Sequence, residues 1–181
     1  MFRMEPEPNL GRRQQIFQVW IRPVEPQNAH FALRAARYEL DQLVLEGLTA
    51  EEFEGTRQFL IKNASILVQT QDARLGYALD SQYYRVPDYT EFVRERLARL
   101  TLKQVNDAIR RHLGSDRMHV VMVTKDGEAL RAQLVGGAAA PVAYNSPKPK
   151  ELLDEDKIIE RYPIALEAAD VTIVPVDRVF E

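Results

Sequence analysis

Cysteine is absent from this chain, which removes disulfides, thiolate metal sites, iron–sulfur ligation and cysteine nucleophiles from consideration. Histidine is scarce: His30, His112 and His119 are the whole supply, and neither an HExxH nor an HxxEH zinc motif occurs. Positive charge has no excess, because 24 Lys and Arg face 27 Asp and Glu for a net charge of −3. A general nucleic-acid binder carries a basic bias, so no nucleic-acid partner is expected. No apolar run approaches the roughly 20 residues that cross a bilayer, and the opening MFRMEPEPNLGRRQQ has no apolar targeting core, so a soluble chain with no membrane partner is expected.

What is present is ordinary globular material. With 181 residues, 45% hydrophobic and 28% charged, the chain suffices for one domain or the larger part of one. In QIFQVWIRPV, Ile16, Gln18 and Trp20 alternate with Phe17, Val19 and Ile21, a period of two that predicts a strand. The next segment places Leu33, Ala36, Leu40, Leu43 and Val44 on one helical stripe, which Gly47 can end. Three helix starts then have local causes: Thr49 with Glu52, Asp88 with Glu91, and Thr101 with Gln104. MHVVMVT reads as a second strand, EALRAQLV as a further helix, and VTIVPV as an edge-like extended contact in which Pro175 precludes a central strand. The glycines and prolines of VGGAAAPVAYNSPKPKE predict a connector or wrapping arm.

Candidate chemistry is thin. His112 and His119, with Asp116 between them, could meet across the LGSD turn as a zinc site. The plainer reading puts His112 at a helix C-terminus, where its donors meet exposed carbonyls. His30 has no local serine and carboxylate to make a triad. Glu51 and Glu52 are accounted for by helix capping, and Asp154, Glu155 and Asp156 lack the glycine turn of a calcium loop. Gly136 and Gly137 lack the downstream Lys with Ser or Thr of a phosphate cradle.

The stretch RLGYALDSQYYRVPDYTEFVRERL is different. Arg74, Tyr77, Tyr83, Tyr84, Arg85 and Tyr89 combine broad aromatic contact area with directed guanidinium bonds, the chemistry of a peptide or protein contact surface. The competing reading buries some of these tyrosines beside leucines and leaves the arginines wet.

Across residues 14–125, the order of an extended segment, a helix ending EGLT, the helix AEEFEGTRQFL, a helical hairpin, LTLKQVNDAIRRHL and MHVVMVT resembles the C-terminal half of a domain from the pitrilysin or insulinase-like zinc metallopeptidases, which include mitochondrial processing peptidases. The resemblance implies an α+β fold, with helices packed against a mixed, mostly antiparallel sheet. It divides the chain into a flexible arm (1–13), a peptidase-like C-terminal portion (14–135) and a wrapping extension (136–181). Family members take zinc from an HxxEH segment plus a distant glutamate in an N-terminal domain, and often position substrate with an Arg and a Tyr six residues apart. Neither pattern occurs here. The implied role is therefore a noncatalytic portion of a peptidase-like assembly, contributing domain packing and a peptide-chamber wall. No cofactor is expected in this chain, with zinc in a parent protein. The implied partners are a missing N-terminal peptidase-like domain or partner subunit and an extended peptide. The alternative is an inactive scaffold or an independent protein- or peptide-binding module.

Overall fold

The computed structural model describes residues 16–179, the side chain of residue 117 excepted, so the arm expected over residues 1–13 lies outside the described residues. Seven α-helices are present among them: α1 (Ala29–Glu46), α2 (Ala50–Leu67), α3 (Gln71–Tyr84), α4 (Tyr89–Arg99), α5 (Leu102–His112), α6 (Gly127–Gly136) and α7 (Lys150–Ile159). No strand occurs among the described residues. The α+β expectation is thereby corrected: the fold is all-helical. A strand exists only when a neighbouring chain segment completes its hydrogen-bond ladder. Residues 16–25 and 118–124 alternate as strands do, yet neither is part of a sheet, and Ile16, Val19, Trp20, Val121 and Val123 are exposed.

The helix ends have the local causes their sequences suggest. The Thr49 side chain accepts from the Glu52 amide at 3.2 Å while Glu52 Oε2 accepts from the Thr49 amide at 2.8 Å, a reciprocal capping box. Thr101 and Gln104 repeat it at 3.0 and 3.3 Å. Asp88 accepts from the Thr90 amide at 3.0 Å. Thr70 and Asp126 cap α3 and α6 in the same manner.

The described residues form two compact units, one comprising 16–17 and Glu46–His112, the other Gln18–Leu45 and 113–179. In the first, α4 packs on α2 and α3. Ala64 of α2 is almost fully enclosed, and Arg94 of α4 donates to Ser65 Oγ at 2.6 Å. The turn between α1 and α2 is clasped by Asn106, whose amide accepts from the Leu48 N–H at 2.9 Å and donates to the Leu48 carbonyl at 3.0 Å. Gly47, at φ +75°, leaves room for that clasp: a Cβ there would stand 2.7 Å from Asn106 Cγ.

The second unit holds two apolar clusters. Phe31, Ala140 and Ile159 form one, with Ala35, Tyr38 and Val142 packed around them. Leu33, Leu130 and Leu134 form the other, with Ala29, Met122, Ile164 and Leu166 around it. α1 contributes to both because Phe31 and Leu33 lie on opposite sides of its buried stripe. Between them Arg34, buried on α1, donates to the backbone carbonyls of Glu160 and Gly137. The carbonyl of Glu160 also receives the Ala140 amide at 2.9 Å. One α1 side chain thus ties together the end of α7 and the segment after α6.

Candidate functional site

The six residues singled out as a contact surface lie on α3, its C-terminal end and the start of α4, within one unit. They divide into two environments. Tyr77 is buried and stacks on Tyr89 with ring centroids 4.0 Å apart and planes 16° from parallel, a pairing that joins α3 to α4. Tyr83 and Tyr84 face solvent at 77% and 44% exposure and meet edge to face at 5.0 Å. Arg74 uses its Nε to hold the Val68 carbonyl at 2.9 Å, closing the turn that precedes α3.

Arg85 is exposed and ends α3 in the left-handed conformation at φ 54°. Glycine is the usual occupant of that position, because a Cβ there costs on the order of 1–2 kcal/mol. The strain is held in place by the Val86 amide, which donates to the Ser81 carbonyl at 3.0 Å. Strained non-glycine positions of this kind concentrate at functional surfaces.

Leu75 and Leu79 of the same helix are both exposed, at 62% and 42%. With Tyr83 they stand at positions i, i+4 and i+8 of α3, one continuous stripe. The spacing was readable; its direction was not, since a periodic apolar stripe normally faces a core.

The histidines do not form a site. His112 closes α5 and His119 lies in the extended segment after the turn, both exposed. His30 is buried on α1 with no hydrogen bond to Nε2. Its pKa is pushed below the ordinary imidazole value first by desolvation, then by the charge of Arg34. No group of three or more His, Cys, Asp or Glu that could hold a metal ion occurs among the described residues. No helix of the described residues is long and apolar enough to cross a membrane. An open concavity of about 440 Å³ lies on the segment after α6, with the Lys148 ammonium 5.2 Å over the Tyr144 ring and Tyr144 Oη donating to Asp156 at 3.1 Å.

No family model, curated protein or solved structure matches the chain. The resemblance to pitrilysin and insulinase-like metallopeptidases is therefore corrected together with the role it implied. That resemblance rested on an order of elements beginning and ending in strands, and the described chain is helical, with neither of those two segments in a sheet. A metallopeptidase portion forming a peptide-chamber wall is not what these residues build. The reading that survives is the other one, a scaffold or binding module.

Proposed function

We propose that this chain is a noncatalytic scaffold that binds an extended polypeptide segment through the exposed face of α3, needing no bound cofactor. The observation that carries this reading is the alignment of Leu75, Leu79 and Tyr83 on one side of a helix whose other side is already satisfied by the Tyr77–Tyr89 stack. Apolar side chains gathered in a stripe on a surface mark association sites, whereas single ones are ordinary. Tyr83, Tyr84 and Arg85 supply residue types that dominate interface energetics. An extended segment suits this stripe because its backbone carbonyls can accept from the exposed Arg85 while alternate side chains meet the leucines.

The test is a displayed library of unstructured peptides selected on the purified chain, with enriched sequences measured by calorimetry. Selected peptides should lose at least about 30-fold in affinity for Tyr83→Ala or Leu79→Asp, the scale of a contact hot spot. Val121→Lys, in the other unit, should bind as the parent does. Bound peptide recovered intact by mass spectrometry supports the noncatalytic part. Peptides that ignore both α3 substitutions, or no enrichment at all, would overturn the proposal.

A further inference from the structure

The C-terminal segment does not fold into a helix of its own length; it lies along α6. Ile164 and Leu166 pack on the Leu33–Leu130–Leu134 cluster, Arg131 Nη2 donates to the Ala168 carbonyl at 2.8 Å, and Ile173 rests against Gly127. Arg131 therefore meets residue 168 and Gly127 meets residue 173, so the segment runs back along α6 in the opposite direction. Gly127 is what admits it: a Cβ at that position would lie 3.1 Å from Ile173 Cγ2. Ile164 is held separately, by Arg37 Nη1 donating to its carbonyl at 2.6 Å.

Between the held residue and the strap stands Ala165, at φ 50°. This is a left-handed backbone on a residue with a Cβ, strained in the position where a hinge would be. The strap thus has a fixed root, a strained pivot and a groove whose contacts are few and identical in every copy of the chain. Strained hinges beside a detachable arm favour exchange of that arm between molecules.

We propose that residues 166–174 are an exchangeable strap: Ala165 relaxes to an extended backbone, the strap leaves its own α6, and the strap of a second copy seats in the same groove to give a two-fold swapped dimer. Each groove keeps the contacts it had, with Leu166 on the leucine cluster, Ala168 on Arg131 and Ile173 on Gly127, and the strain at Ala165 is released. The strap and its groove use none of the α3 residues, so this proposal stands whether or not α3 binds peptide.

Because the chain has no cysteine, engineered thiols report strap position alone. The double variant Gly127→Cys with Ile173→Cys should close an internal disulfide on oxidation in dilute solution, since a Cβ at position 127 would stand 3.1 Å from Cγ2 and 3.6 Å from Cγ1 of Ile173, where the second sulfur would lie. Chains carrying only Gly127→Cys and chains carrying only Ile173→Cys, mixed at millimolar concentration, then diluted and oxidised, should give the mixed disulfide far beyond its statistical share over the two homodisulfides. Ala165→Gly, which removes the strain of the closed form, should lower that mixed product on the order of tenfold. Mixed product at the statistical share, while the double variant closes internally, would overturn exchange. Failure of the double variant to close would overturn the strap's placement and the proposal with it.

Discussion

The unit built from α2 to α5 and the unit built around α1 are stabilised by different means. In the first, order is written at helix ends: Thr49, Thr70, Asp88 and Thr101 each satisfy amides that the helix leaves unpaired, and among the described residues the buried side chains are few, Ala64 and Tyr77. In the second, helix ends matter less than side chains brought from far apart, with Leu33 meeting Leu130 and Leu134, and Arg34 spanning from α1 to Glu160. Local chemistry governs one and long-range burial the other. Substitutions should separate them.

The largest effect is expected from Leu130→Ala, which empties a buried site and should cost about 2–5 kcal/mol in chemical unfolding. Leu79→Ala, in the other unit, removes an exposed leucine and should stay within about 0.5 kcal/mol. Equal losses would erase the distinction. Arg34→Met comes next. It preserves length and apolar packing but leaves buried carbonyl acceptors with fewer donors, so a loss of about 1–3 kcal/mol is expected, with the denaturant slope unchanged.

Thr101→Ala removes the acceptor for the Gln104 amide and should cost about 0.5–2 kcal/mol, with the loss of helicity confined to the start of α5 in amide exchange. The smallest effect is a pH dependence. His30 has a folded-state pKa below its unfolded value near 6.5, so below that pH the unfolded chain binds more protons than the folded one. Its contribution is fully present above pH 6.5 and is lost as pH falls toward the folded value. Urea midpoints should therefore drop from neutral pH into the mildly acidic range, and His30→Leu should flatten that part of the curve. A parallel fall in both proteins would assign the dependence to other groups.

This contrast also explains how much was legible beforehand. Capping needs only residues three apart, so Thr49 with Glu52 and Thr101 with Gln104 could be read directly, as could the end of α1 at Gly47. The two apparent strands were misread because alternation of Val, Ile and polar residues specifies an extended preference but supplies no partner, and pairing is a property of distant sequence. Arg34 gave no signal at all: among the residues of an amphipathic helix a single arginine looks solvated until the carbonyls it holds are located. Within the candidate surface, the residue types were visible, but the burial of Tyr77 and the exposure of Leu75 and Leu79 were decided by which side of α3 meets α4.

The discontinuous path of the α1 unit has a consequence in time. A ribosome releases residues 46–112 as one uninterrupted stretch, so the helices from α2 to α5 can find one another as soon as α5 emerges. Phe31, Leu33 and Leu40 have emerged long before, yet Leu130, Leu134 and Ile159, which cover the two leading positions of that stripe, have not yet left the ribosome. At about 5–20 residues per second, α1 waits several seconds or more for its cover. During that interval its apolar side is the natural target for a holding chaperone, and the nascent chain is most exposed to misassembly in the stretch of synthesis between α5 and α7.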